Sequence, residues 1–261
     1  MFQNRFIRLP FACLIFSPLI VLQGCGDSKG TESSGDFATS AISAFYEVEA
    51  KANSAQGGHD YRLQARFRRG NDILELDGGD QVVVSGPNEY SLTETKVFGD
   101  VIYNRTVTIE NPLRTNFTFK LERNSQQDAD QSNITVPQAF EINEPLAGST
   151  VQLNSSKLMT VRWSNNDDDS EGMKVTQDYR CFTTAQGEVL SREVSNTFSE
   201  AGGVTSGVIN VGEATRNGNY SHCTVDLTFS RTRQGSLDPK LKSGSTNGYF
   251  VDSASNIRIN F

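Results

Sequence analysis

Two histidines, His59 and His222, are the side chains whose ordinary pKa lies closest to neutrality. Neither histidine belongs to an HExxH, GxSxG or Cys–His motif, so no catalytic residue and no cofactor is predicted. His59 lies in the predicted loop SAQGGHD, and His222 has the opposite parity to Cys223 in an alternating segment. We therefore interpret both histidines as solvent-exposed surface residues.

Carboxylates cluster in the segment NNDDDSEG, residues 165–172. Its first, third and fifth residues alternate like the start of an EF-hand loop, and calcium takes about six to eight oxygen ligands. However, Ser170 stands where that loop requires glycine, and Thr176 where it requires a glutamate. We interpret the segment as a charged hairpin tip and predict no metal site, with calcium binding as the open alternative.

Three arginines, Arg62, Arg66 and Arg68, alternate along one predicted strand. Residues two apart on a strand project from one face about 6.6–6.8 Å apart, so the row is a candidate site for phosphates or acidic sugars. The alternative is a structural role, because the preceding segment YEVEAK carries Glu47 and Glu49. A hairpin through NSAQGGHD would bring Glu47 opposite Arg66 as a cross-strand ion pair.

The N-terminal residues 1–24 have the pattern of a signal peptide. Arg5 and Arg8 precede the apolar residues 9–22, which read LPFACLIFSPLIVL. That run is too short and too interrupted for a spanning helix, which needs about 20 apolar residues. The pattern is typical of a segment that is removed after export.

The end of this segment, LQGC, resembles the bacterial lipobox. Leu22, Gly24 and Cys25 match it, and Gln23 stands where the lipobox usually has a small residue. The resemblance implies a lipoprotein that begins at Cys25 and is held on the membrane by its acyl chains. Gly26, rather than aspartate, directly follows the cysteine, which in this family implies the outer membrane. The alternative is a chance cysteine in an ordinary signal peptide.

The remaining cysteines predict a disulfide. Cys13 leaves with the signal peptide and Cys25 carries lipid, so Cys181 and Cys223 remain. Two cysteines in an oxidising compartment most often form a disulfide, and they lack the CxxC spacing of a zinc or redox site.

Composition divides the chain into a tether, two bodies and a linker. Residues 25–40 are the lipidated end and a small, polar stretch, which predicts a flexible tether. A second polar stretch, residues 124–135, predicts a linker between domains at 41–123 and 136–261.

The formal net charge of −7 disfavours a nucleic-acid partner.

Apolar residues alternate with polar ones in segments such as YRLQARF, FTFKLER, MTVRW and CTVDLTF. This period of two indicates strands that are half buried against a core. Short turn segments rich in glycine, asparagine and aspartate separate them. No long helical apolar stripe is present. The predicted fold class is all-β, with two consecutive antiparallel β-sandwich domains.

The second body resembles immunoglobulin-like and fibronectin-type domains. Trp163 in LMTVRWS resembles their core tryptophan, and GNYSHCTVDLTF resembles their penultimate strand. Trp163 precedes both Cys181 and Cys223, whereas the antibody order is Cys, Trp, Cys. The resemblance implies a β-sandwich, and this architecture by itself assigns no activity.

Together these features predict a membrane-anchored, non-catalytic binding or assembly module of the cell envelope. The expected partners are the membrane, through the lipid anchor, and envelope proteins or anionic glycans. Two alternatives remain open. One is an envelope enzyme with an Asp/Glu pair assembled by the fold, and the other is a small outer-membrane β-barrel, which the terminal IRINF resembles.

Overall fold

The structure is a computed structural model that describes residues 30–53, 58–110, 115–164, 167, 170–184 and 187–261. The predicted signal peptide and Cys25 therefore lie outside the described residues. Within the described ranges, no helix is long and apolar enough to cross a membrane.

Strands dominate the described chain, and the prediction of an all-β fold is confirmed. The first ten are β1 (Thr31–Ser33), β2 (Ser43–Asn53), β3 (Gly58–Arg69), β4 (Asp72–Glu75), β5 (Gln81–Ser85), β6 (Glu89–Ser91), β7 (Thr93–Val97), β8 (Asp100–Glu110), β9 (Asn116–Glu122) and β10 (Ala129–Thr135). They are followed by β11 (Ile142–Glu144), β12 (Thr150–Gln152), β13 (Leu158–Trp163), β14 (Met173–Thr183), β15 (Gly187–Phe198), β16 (Ser206–Asn210), β17 (His222–Gln234) and β18 (Ser243–Asn260). One short helix, α1 (Val211–Ala214), follows β16.

Eleven of the strands in the described ranges form one large sheet. Its order is β1-β4-β3-β2-β18-β17-β14-β15, while β8 pairs with β3, β7 with β8, and β12 with β18. Most neighbours are antiparallel, but β1–β4, β2–β18 and β12–β18 are parallel pairs. Local turn signals predict only hairpins, so these parallel pairs were not predicted.

Two smaller sheets, β10-β9-β5-β6 and β11-β13-β16, complete the fold. They pack on one face of the large sheet through aromatic side chains. The ring centroids of Tyr46 and Phe119 are 4.8 Å apart, and those of Trp163 and Phe229 are 6.2 Å apart. The apolar members of each alternating row meet here, so this interface is the hydrophobic core. Trp163 is buried in it, at the core position that the sequence predicts.

The predicted linker, residues 124–135, contains strand β10, which pairs with β9. The predicted bodies at 41–123 and 136–261 are called the first half and the second half below, and strand β18 connects them. Its residues 243–251 pair with residues 43–51 of β2, and its residues 258–260 pair with β12. On its other edge, β18 pairs with β17 along most of its length. A single 18-residue strand is therefore part of both halves.

The second part of the predicted tether, residues 30–40, lies against the first half. Strand β1 pairs with β4, and 3-10 turns follow at Ser34–Asp36 and Thr39–Ala41. The composition of this stretch is too polar to form a core of its own, and hydrogen bonds to the sheet order it instead. The Ser34 hydroxyl donates to Asp80 at 2.7 Å, and the Thr39 hydroxyl donates to the Gln127 carbonyl at 2.5 Å.

Candidate functional site: a cleft on the open sheet face

Among the described residues, no sheet covers one face of the large sheet, which we call the open face. Along β2 and β3, every second side chain is buried in the core, as in Tyr46 and Leu63. The intervening side chains, including Glu47, Glu49 and Arg62, project to the open face because successive side chains of a strand point to opposite sides.

A cleft of about 350 Å³ crosses the open face where β3, β2, β18 and β17 lie side by side. It is lined by Glu47, Glu49, Arg62, Gln64, Thr228, Ser230, Tyr249 and Val251. A neighbouring depression of about 250 Å³ shares Thr228 and Val251 with it and is also lined by Lys51, Ala52, Asp252 and Ser253. The combined lining contains carboxylates, cations, hydroxyls and one aromatic ring, so it suits a polar ligand.

The three arginines of the predicted row project to the open face, but two of them contact carboxylates. The Arg66 guanidinium is 3.2 Å from Glu47, and that of Arg68 is 3.7 Å from Asp100. The register places Gln64, not Arg66, opposite Glu47, so the predicted Glu47–Arg66 pair forms diagonally. These ion pairs are partly exposed, so each stabilises the fold by no more than about 1 kcal/mol.

Arg62 is the arginine of this row that lines the cleft. Among the described residues, no carboxylate lies within ion-pair distance of it, although Glu49 is its partner in the register. When the Gln64 amide oxygen faces Arg62, it accepts from Nη2 at 2.8 Å and from Nε at 3.2 Å. The Glu49 carboxylate contacts Lys51 at 2.9 Å instead. Arg62 is therefore placed to meet an anionic group in the cleft.

Two titratable groups of β18 lie at the cleft and the neighbouring depression. Burial, and then the charges of Glu47 and Glu171, raise the pKa of Tyr249, so its phenol stays protonated and remains a donor. Burial also raises the pKa of the Asp252 carboxyl, and the charge of Glu141 adds to this effect. A hydrogen bond from the Ser253 amide acts in the opposite direction.

The histidines lie outside the cleft lining. His59 belongs to strand β3 rather than to a loop, and it is half-buried, with its ring 5.0 Å from that of Phe250. This burial lowers the pKa of His59. His222 opens β17 and stacks on Phe182 with ring centroids 4.9 Å apart. The expectation of exposed histidines therefore differs from the packed rings that the structure shows.

One buried ion pair lies in the first half, and sequence reasoning missed it. Arg123 and Asp80 are joined by a 2.7 Å contact, with both side chains almost fully buried. Arg123 also donates to the carbonyl oxygens of Ser34 at 2.7 Å and Phe37 at 2.9 Å. The alternation in FTFKLER does indicate that Arg123 is buried, because Arg123 is the next inward position after Leu121.

The second half contains an equivalent ion pair, which was also missed. Arg231 donates to Glu200 through Nε at 2.8 Å and Nη2 at 2.5 Å, and both side chains are buried. Glu200 also accepts from the Trp163 indole at 2.7 Å, and Arg231 donates to the Gln138 carbonyl at 2.8 Å. Arg231 follows Phe229 at the next inward position of its row, so the signal was the same as for Arg123.

The predicted disulfide is confirmed. Cys181 on β14 and Cys223 on β17 are partners in the antiparallel register, and their Cα atoms are 4.0 Å apart. Both cysteines are fully buried on the inward rows of their strands.

The acidic segment 165–172 is only partly described. Asp167 is buried and accepts from the Gln138 amide at 2.8 Å, which holds it against the chain that enters the second half. The first and fifth positions of the calcium alternative, Asn165 and Asp169, lie outside the described residues. Across the part of the chain that the structure describes, no group of three or more metal-ligating side chains forms a metal site.

Neither the protein-family models nor the curated proteins that were searched contain a match to this chain.

Proposed function

We propose that the protein is a lipid-anchored, non-catalytic binding module of the bacterial cell envelope. In this proposal Cys25 holds the chain on the outer membrane, and the cleft on the open face takes the ligand. The lipobox resemblance of LQGC supports the anchor. The lining of the cleft, in which Arg62 contacts the neutral Gln64 side chain and no described carboxylate, is the observation that supports binding.

The ligand class that fits this lining is an anionic glycan. Arg62 would meet a carboxylate of the sugar, since guanidinium–carboxylate contacts are strong and directional. Glu47 and Glu49 would accept hydrogen bonds from sugar hydroxyls, and the half-buried ring of Tyr249 offers an apolar surface for the sugar ring. Arg66 and Arg68 would contribute less, because carboxylates already contact them.

Calorimetry on the full chain in detergent tests the binding proposal. We expect it to bind a trimer of galacturonic acid and to bind the neutral galactose trimer much more weakly. Arg62→Gln should weaken binding of the acidic trimer about tenfold, the equivalent of about 1.4 kcal/mol. Arg162→Gln is the matched control, because Arg162 is exposed and contacts Glu144 at 3.4 Å on another sheet.

If the wild type and Arg62→Gln bind the acidic trimer with equal affinity, Arg62 does not recognise the charge of the sugar. If neither trimer binds, the proposal that the ligand is an anionic glycan is wrong.

The anchor is tested separately by metabolic labelling with a fatty acid. The wild type should incorporate the label and float with membranes, whereas Cys25→Ala should do neither. Equal labelling of both proteins would contradict the lipid anchor.

An enzyme with a carboxylate-based site is the second candidate, because Glu47 and Glu49 line one cleft from the same strand. Residues two apart on a strand are separated by about 6.6–6.8 Å, and some glycosidases hold two carboxylates at a similar distance. Incubation with the acidic trimer and analysis of its products tests this candidate. Product formation that Glu47→Gln or Glu49→Gln abolishes would replace the binding proposal with the enzymatic one.

A further inference from the structure

The hairpin of β7 and β8 ends in an exposed aromatic residue. Phe98 is 106% exposed and Val97 is 41% exposed, so the tip presents apolar side chains to solvent. Phe98 and Gly99 both have positive φ, at 49° and 85°. This backbone suits a tight two-residue hairpin, but a bulky aromatic residue is rare at the first position. A stability requirement would favour asparagine or glycine there.

The hairpin tip lies at the end of the large sheet where the described chain begins. Strand β8 runs antiparallel to β3 with Tyr103 beside Ala65, so its tip points beyond the C-terminal end of β3. The carbonyl of Gly30 accepts from the Ile73 amide at 3.1 Å, and Ile73 pairs with Arg68 near that same end. The tip and Gly30 therefore lie at the same end of the large sheet.

Two ion pairs hold the hairpin against this end of the sheet. Lys96 contacts Glu75 on β4 at 2.9 Å, and Arg68 on β3 lies 3.7 Å from Asp100. A further pair ties β1 to the same region, where Arg69 contacts Glu32 at 3.2 Å. Each of these cations contacts a carboxylate, and Lys96 also lies 3.5 Å from Glu94, so the described surface around the tip has no excess of positive charge.

The length of chain between Gly30 and Cys25 brings lipid close to the tip. Five residues span at most about 18 Å, even when fully extended. Where Cys25 carries the lipid anchor, the bilayer surface lies within that distance of Gly30. The exposed apolar tip projects from the same end of the sheet as Gly30, so it is placed where it can reach that surface.

We propose that the hairpin tip, Val97 and Phe98, is a second membrane contact that inserts into the interface of a zwitterionic phospholipid bilayer. This inference rests on the lipid anchor of the proposed function. Apolar and aromatic side chains on a surface are favoured at the boundary of headgroups and acyl chains. Among the described residues around the tip, no excess of basic side chains is present to select anionic lipids, so zwitterionic headgroups suit it better. Two contacts, lipid and tip, would orient the sheet relative to the membrane.

Tryptophan fluorescence on the full, lipidated chain tests this contact. The one native tryptophan, Trp163, is buried, so it gives a constant background. We would make Phe98→Trp and reconstitute it in phosphatidylcholine vesicles whose acyl chains carry bromine, a quencher of tryptophan. Leu146→Trp is the matched control, because Leu146 is 59% exposed in the second half of the chain.

We expect the added emission of the Phe98→Trp variant to fall at least twofold in brominated vesicles, and that of Leu146→Trp to stay unchanged. Flotation of the same samples reports the anchor independently. No quenching in proteins that still float would overturn the tip contact and leave the anchor intact. Equal quenching at both positions would also overturn it, because the tip would then have no special position. Failure of both variants to float would overturn the anchor and this inference together.

Discussion

Each half of the molecule contains a buried arginine at the end of an inward row. The two arginines stabilise different parts of the fold. Arg123 pairs with Asp80 and binds the carbonyls of Ser34 and Phe37, so it fixes the segment that leads toward Cys25. Arg231 pairs with Glu200, which also accepts from Trp163, so it fixes the interior of the second half.

This difference shows how one local pattern serves two purposes. In both rows an arginine takes the inward position after apolar residues, and its buried charge requires a carboxylate and carbonyl partners. In the first half the carboxylate is Asp80, which follows β4, and the carbonyls come from the N-terminal segment, which the arginine orders. In the second half they come from loops around the core tryptophan. We therefore expect the first pair to control the N-terminal segment and the second to control the core.

The largest effect is expected for Glu200→Ala. It leaves the Arg231 charge buried and the Trp163 indole without its carboxylate acceptor. Removing one partner of a buried pair costs up to about 5 kcal/mol of the free energy of unfolding. Denaturant unfolding of the full chain measures this loss, and Trp163 fluorescence should change as well. Glu193→Ala, at an exposed position of β15, is the control and should be nearly neutral. A small effect of Glu200→Ala would mean that solvent reaches the pair.

Reduction of Cys181–Cys223 should have the next largest effect, and it acts on the half that contains Arg231. The disulfide closes a loop with a sequence separation of 42 residues. The chain-entropy model gives such a loop about 4 kcal/mol at 25 °C. We expect a lower melting temperature, with faster amide hydrogen exchange in β14 and β17 than in β3 and β9. Uniform loss of protection over all four strands would show that the halves unfold as one unit, and free thiols in the unreduced protein would contradict the disulfide.

Asp80→Asn should destabilise the protein by about 3 kcal/mol, because it leaves the Arg123 guanidinium buried without its counterion. The sharper readout is local. Hydrogen exchange of residues 31–41 should rise strongly in Asp80→Asn and little in Glu200→Ala. Equal exchange of this segment in the two variants would contradict the assignment of different tasks to the two arginines.

The smallest expected effect is a pH dependence that arises from His59, near Phe250 of β18. Burial lowers the pKa of folded His59 below its ordinary value of 6.5. The unfolded chain therefore binds this proton more readily. The corresponding stability is fully present above about pH 6.5 and is lost as the pH falls below it. Melting temperatures should decrease modestly over this range, and less so in His59→Gln. An identical pH profile in both proteins would contradict this role.

Period-two alternation predicted which residues are buried. The rows of β3, β9, β13 and β17 are inward as predicted, and both cysteines of the disulfide, Cys181 and Cys223, lie on inward rows as well. The same parity extended by one step would have identified Arg123 and Arg231 as buried. The predicted rows end at Leu121 and Phe229, because charged side chains are usually exposed, yet the parity of both rows continues to the arginines.

The sequence could not reveal the order of the strands, and the cleft depends on that order. The arginine row and Glu47 share a hairpin, so a local turn brings them together. Tyr249 and Thr228 come from β18 and β17, and only the parallel pairing of β18 with β2 brings them to the same cleft. No turn signal encodes a pairing between strands so far apart in the chain.

The central position of β18 also has a consequence for folding kinetics. Ser43 and Ser243 are neighbours in the sheet, although 200 residues separate them along the chain. Strand β2 gains its partner on this edge only when β18 has been synthesised and has reached the sheet. Contacts of such long range make folding slow, because the entropy of closing the loop is lost before the strands pair. We therefore expect the sheet of the first half to be completed only after the second half has been synthesised and β18 has paired with β2.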